Sequence, residues 1–136
     1  MDFSEIVKPG LWAQITETVT DKNTASAWGS GGLDVFATPA MIAYMEMAAF
    51  TAVAPFLPPG WSSVGTEVNI KHLAATPRGM KITVRAELLS VDGRALFYKV
   101  EAYDESGKIG EGLHSRFIIE EEKFMAKVKV KAQNRT

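Results

Sequence analysis

The chain has 136 residues, of which fifteen are basic and sixteen acidic, and it contains no cysteine. That length predicts one domain over 1–136, with a core large enough to fold without a covalent or metal staple. A cysteine-free chain excludes a disulfide framework and a thiolate metal site, and balanced charge gives no electrostatic reason for nucleic acid or an anionic membrane as partner.

In chain order, the start Met1-Asp2-Phe3-Ser4-Glu5 is acidic and lacks the apolar stretch of a secretory signal. Together with the cysteine count, that points to a cytoplasmic protein. Residues 1–10 read as an irregular lead-in ending at Pro9-Gly10. Residues 11–20 are rich in β-branched and aromatic types and predict a strand, with Asp21-Lys22-Asn23 as a turn after it. Residues 24–33 carry Ser26, Gly29, Ser30, Gly31 and Gly32, a flexible connection. Their glycines do not form the GxGxxG pattern between a strand and a helix, so no dinucleotide cofactor is expected.

Thr38-Pro39 marks a helix start: threonine suits the N-cap and proline the first helical position. The helix should run over residues 39–54 and stop at Pro55. Its apolar run is shorter than the roughly 20 residues of a membrane span. Met41, Met45, Ala48 and Ala52 fall on one face and Ile42, Ala49 and Val53 on the next. Residues 56–62 form a proline-glycine loop, after which the period changes from 3.6 to 2. Strands are expected over 64–72, 80–88, 95–104 and 108–120, with a hairpin at Asp92-Gly93. In the first of these the even positions, Val64 to His72, should face inward. The tail from Glu121 is charged, with Val128 and Val130 extending the last strand.

One strand, one long apolar helix and four more strands describe an α+β domain, an antiparallel sheet curled around the helix. A helix apolar on nearly every face also needs a partner to hide its second side, which predicts at least a homodimer.

Within that helix Glu46 is the sole residue charged at neutral pH, flanked by Met45, Met47 and Ala48. A carboxylate buried there is costly unless it is paired, protonated or put to chemical use. His72, of the inward parity, is either a satisfied core histidine or a partner that tunes that acid. Thr38 either caps the helix, or helps its N-terminus to receive a developing oxyanion. Thr38 and Glu46 lie about 12 Å apart along one helix axis, so a shared site would need Thr38 of one subunit and Glu46 of another. His114, beside Arg116 and opposite Leu113 and Phe117, reads as solvated. Lys123, Lys127, Lys129 and Lys131 read as a solvated basic face, with the phosphates of a nucleotide-bearing substrate as the alternative.

The motifs Val35-Phe36-Ala37-Thr38, Met45-Glu46, Ala54-Pro55, Ser63-Val64-Gly65-Thr66 and His72-Leu73-Ala74-Ala75-Thr76-Pro77 resemble the hotdog-fold fluoroacetyl-CoA thioesterase family, as does Glu122-Lys123-Phe124-Met125 near the end. The resemblance implies a dimeric hotdog fold and hydrolysis of a coenzyme A thioester. It implies Thr38, Glu46 and His72 as the catalytic group, Gly65 in the acyl pocket with Phe36 and Val64 beside it, and no metal or other cofactor. In the fluoroacetyl enzyme the loop before the helix is longer and supplies a phenylalanine lid. Residues 24–33 are shorter, with Trp28 the one large aromatic, so the substrate expected is a general short-chain acyl-CoA. Two rivals are an acyl-CoA-binding hotdog module without activity and a hotdog hydratase or dehydratase.

Overall fold

The structure is a computed structural model describing residues 2–135; Met1 and Thr136 lie outside the described residues. Strand β1 (Trp12–Thr18) is followed by a short helix α1 (Ala25–Trp28) and the long helix α2 (Thr38–Val53), which passes into a 3-10 turn at Ala54–Phe56. Four strands complete the sheet: β2 (Trp61–His72), β3 (Lys81–Asp92), β4 (Ala95–Asp104) and β5 (Gly107–Glu120). All pairings are antiparallel, in the order β1-β3-β4-β5-β2. This is the α+β architecture expected, a sheet wrapped round one long helix.

Burial alternates along β3 and β4 because period 2 sends every second side chain to the same face. Ile82, Val84, Ala86 and Leu88 of β3, with Leu96, Tyr98, Val100 and Ala102 of β4, meet Met41, Met45, Ala48, Ala49 and Val53 of α2. Each large aliphatic chain so buried contributes about 1.5–3 kcal/mol. Alanines on α2 let the sheet approach closely, and Gly110 does the same from β5. A methyl group added at Gly110 would lie 2.6 Å from Met41 Sδ.

Several sequence expectations need correction. The lead-in is anchored: Phe3 and Val7 are fully buried, and Phe3 packs edge-on against Trp61 at 5.1 Å between ring centroids. The glycine-rich connection holds the short helix α1, whose Thr24 side chain accepts from Ala27 N and whose Gly29 ends it in the left-handed region. Pro55 does not halt the chain sharply. With the 3-10 turn, Thr38–Phe56 is 19 residues, long and apolar enough by length and composition to cross a membrane, but here it packs within the curl of the sheet. The tail is helix α3 (Glu121–Gln133), not a strand extension. Glu121 and Glu122 in its first turn and Lys131 in its last complement the helix dipole, and its Lys, Glu, Met and Ala residues favour a helix.

The expected parity of β2 holds over only half of its length. The register steps from Gly65↔Arg116 to Glu67↔Ser115, so Thr66 is a bulge with no partner across the ladder. Directly opposed residues share a face. Ser63 and Gly65 therefore face inward before the bulge, and Val68, Ile70 and His72 after it. Val64, opposite the exposed Phe117, is turned to the outer face.

One flank of α2 is left uncovered. Met47 and Phe50 are exposed there, and so is Val68, although it faces inward opposite buried His114 of β5. β2 is itself an edge strand.

Candidate active site

The chain entering α2 is fixed by backbone bonds on both sides. Phe36 N donates to Thr76 O at 2.9 Å, and Ala37 N donates to Asn23 O at 2.9 Å. The N-cap is Ala37, with Thr38 the first helical residue. Thr38 is thus not the N-cap expected, and its hydroxyl is free to turn elsewhere. It pairs with His72, the last residue of β2, at 2.7 Å between Oγ1 and Nδ1. Phe36 lies under this pair, edge-on to the His72 ring at 6.3 Å and stacked on Tyr44 at 6.0 Å. Burial pushes the His72 pKa down, partly offset by the Ala74 backbone, so the ring is neutral near pH 7. Its Nε2 is buried without a hydrogen-bond partner. A cavity of about 320 Å³ opens here, lined by Thr38, His72, Phe36, Val35 and Leu73, with Ala25 and Ser30 from the α1 region.

Two turns further along α2, Glu46 belongs to another cluster. It is half-buried, not enclosed, because the flank of α2 that carries it has no cover. Its Oε2 reaches Gly65: a methyl group added there would lie 3.4 Å from Glu46 Oε2, 3.4 Å from His114 Cε1 and 3.5 Å from Arg116 Nη1. Glu46 and Arg116 also line a cavity of about 540 Å³ with Ala43, Met47, Phe50 and Thr51. Glu46 forms no ion pair with Arg116; the two charges face each other across the bare glycine.

His114 and Arg116 correct the sequence-based expectation. His114 is 2% and Arg116 7% exposed, while Leu113 is 56% and Phe117 41% exposed. The polar pair, not the apolar one, faces the helix. Gly110, Gly112 and Ile118 share its parity, and the two glycines, one bare against Met41 of α2 and the other against Asn69 and Ile70 of β2, were the available signal. Burial lowers the His114 pKa, with the Glu67 carbonyl opposing it, Arg116 adding to it and Glu46 opposing it. Burial likewise lowers that of Arg116, against the effect of Tyr98 and Glu46.

Within one chain the structure gathers Thr38, His72 and Phe36 in one place, and Glu46 and Gly65 in another. Val64 joins neither. Lys123 and Lys127 of α3 line a separate groove of about 400 Å³ with Arg94, Phe117 and Phe124. Among the described residues, no group of three His, Asp or Glu side chains is placed to hold a metal ion.

A five-stranded antiparallel sheet around one long helix, with polar groups at the helix start and at mid-helix, is the hotdog arrangement. A hot-dog-like protein from Thermanaerovibrio acidaminovorans superposes with a TM-score of 0.90 at 23% identity, over 99% of this chain and 100% of that one. The profile of the fluoroacetyl-CoA-specific thioesterase family matches residues 19–122. The fluoroacetyl-CoA thioesterase of Streptantibioticus cattleyicolor is 50% identical over 98 residues, 72% of this chain and 70% of that protein. A variant of the fluoroacetyl-CoA thioesterase in complex with acetyl-CoA superposes with a TM-score of 0.86 at 39% identity, covering 92% of this chain and 98% of that one. The chain therefore belongs to the fluoroacetyl-CoA-specific thioesterase family, and it is a thioester hydrolase.

Proposed function

We propose that this thioesterase hydrolyses short-chain acyl thioesters of coenzyme A at a site built by two copies of the chain, Thr38 and His72 from one and Glu46 from the other. The observation that carries this is the 2.7 Å Thr38–His72 bond at one cavity while Glu46 lies at another, on an uncovered flank of the same helix. One chain holds both halves of the chemistry, too far apart to act on one carbonyl. A second copy set edge to edge along β2 would extend the sheet, cover Met47, Phe50 and Val68, and bring each half beside its complement. Relatives named for fluoroacetyl-CoA, one of them complexed with acetyl-CoA, support a small acyl group on coenzyme A.

The chemistry adds water across the thioester to give a carboxylate and a free thiol. Glu46 attacks the carbonyl or takes the proton of the attacking water. Neutral His72 exchanges protons with the water and the leaving thiolate, and the Thr38 hydroxyl supports the charge on the carbonyl oxygen, a role worth roughly 3 kcal/mol per donor. Phe36 and Gly65 bound the acyl end.

A thiol-release assay over a panel of short acyl-CoA thioesters tests the activity. Glu46→Gln and His72→Ala should each lower turnover by at least about 100-fold with the fold intact. Mixing the two inactive variants under conditions that let subunits exchange should restore about a quarter of wild-type activity, because half of the dimers then carry one complete site. Wild-type rates in both variants would overturn the site, and no recovery on mixing would overturn its shared construction. Hydration of the acyl chain, or binding without thiol release, would overturn the hydrolysis.

A further inference from the structure

The buried pair behind Gly65 has no part in the chemistry above, yet its bonds are fully specified. His114 Nδ1 lies 2.8 Å from Glu67 O. A carbonyl only accepts, so Nδ1 carries the proton and Nε2 is left as an acceptor. Arg116 Nη1 donates to that Nε2 at 3.2 Å. On its other sides the guanidinium donates from Nε to Ser63 Oγ at 2.9 Å and from Nη2 to Ser63 O at 2.9 Å. A flat, five-donor group held at three points cannot rotate. One proton of Nη1 is then left over, on the side where Gly65 separates it from Glu46 Oε2.

We propose that His114 is a positioning residue for the hydrolysis: by accepting from Arg116 Nη1 it fixes the guanidinium as the cation that faces and orients the Glu46 carboxylate across Gly65. The proposal rests on the reading of Glu46 as the acid of the site. A buried arginine can be held for structure alone, but two features argue for more. The guanidinium is not spent on an ion pair with Glu46, so the space between the charges stays open at a cavity. And the partners that fix it are a neutral imidazole and a serine, which hold its direction without cancelling its charge. The charged or titratable groups around His114 are Arg116 on its own strand, Glu46 from α2 and Tyr98 of β4, whose ring stacks on it at 5.9 Å.

Two near-isosteric amides separate the roles of the two ring nitrogens. His114→Asn keeps a donor near Nδ1 for Glu67 O and loses the acceptor for Arg116; His114→Gln keeps an acceptor near Nε2 and loses the donor. With acetyl-CoA as substrate and thiol release as readout, Asn should lower kcat about tenfold with KM within about twofold, and Gln should restore kcat to within about threefold of wild type. In a Glu46→Gln background His114→Asn should bring no further loss, since the carboxylate it acts through is gone. Ser63→Ala, which removes the hydroxyl that accepts from Arg116 Nε and leaves the carbonyl bond to Nη2, should lower kcat in the same way. If Asn matches wild type, if Asn outperforms Gln, or if the loss persists in the Glu46→Gln background, the proposal is overturned while the role of Glu46 stands. If His114→Asn does not fold, Ser63→Ala decides, and wild-type kcat there overturns the proposal. Wild-type turnover in Glu46→Gln alone would instead bring down the reading of Glu46, and this inference with it.

Discussion

Gly65→Ala isolates the chemistry of the site from the stability of the fold. The added methyl group would stand 3.4 Å from Glu46 Oε2 and from His114 Cε1, and 3.5 Å from Arg116 Nη1. These are close but ordinary contacts, so no backbone has to move. Gly65 is not among the glycines with positive φ, so alanine adopts its conformation without strain. Removing a glycine from a strand stabilises by about 0.4–1 kcal/mol through the unfolded chain, which offsets the tight contacts. The expected change in Tm is therefore within about 4 °C of zero. The functional effect should be much larger. The methyl fills the gap between carboxylate and guanidinium, where a water or an acyl group would sit, and leaves both charges poorly solvated. At least about a tenfold fall in kcat/KM is expected, equivalent to about 1.4 kcal/mol. Melting curves and thiol release on the same preparation provide the comparison. Activity within twofold of wild type would refute the placement of the reacting groups around Gly65, and a large fall in Tm would refute the packing argument.

Gly110→Ala should behave in the opposite way. Its methyl group would fall 2.6 Å from Met41 Sδ and 3.2 Å from Lys71 O, so the core must repack at about 1–3 kcal/mol, seen as a lower Tm with kcat per folded molecule unchanged. Met47→Glu and Val68→Asp put charge on the uncovered flank of α2 and on the inward face of β2. Each should convert the proposed dimer to monomers in sedimentation and abolish thiol release with it; active monomers would contradict the shared site. His72 and His114 both have pKa values lowered by burial. The folded chain then binds fewer protons than the unfolded one, so stability is level above about pH 6.5 and falls as pH drops through the folded values. Tm measured from pH 7.5 to 5 should decline on the acid side, and a rise there would refute the sign. The carboxyls of Asp34 and Glu101, held low chiefly by bonds to Arg78 and Lys108, add their loss only nearer pH 4.

The sequence carried the periodic features well. The switch from period 3.6 to period 2 after Pro55 located α2 and the four later strands, and the lone Glu46 in an apolar helix marked a position that does reach a cavity. What stayed hidden was set by contacts distant in sequence. Thr38 has every local qualification for an N-cap, but His72, thirty-four positions on, takes its hydroxyl. His114 and Arg116 look solvated beside Leu113 and Phe117 because alternation alone does not say which parity faces in. The crowding is what marks the inward parity: Gly110 is bare against Met41 of α2 and Gly112 against Asn69 and Ile70 of β2, while the larger apolar side chains stand outside. Val64 was misplaced for a related reason, since period 2 cannot foresee a residue without a ladder partner. The burial of Phe3 and the helical tail are likewise tertiary and electrostatic outcomes that alternation does not encode.

Thr66 sets the face taken by everything downstream of it on β2. Were this single residue taken into the ladder opposite Ser115, the strand would run without interruption, but Val68, Ile70 and His72 would all swing to the convex surface. The imidazole would leave Thr38, and Val68 would leave the flank beside α2. One supernumerary residue thus lets a single strand offer a glycine at one end and a histidine at the other to the same side of the molecule, something no regular strand can do with an odd number of steps between them.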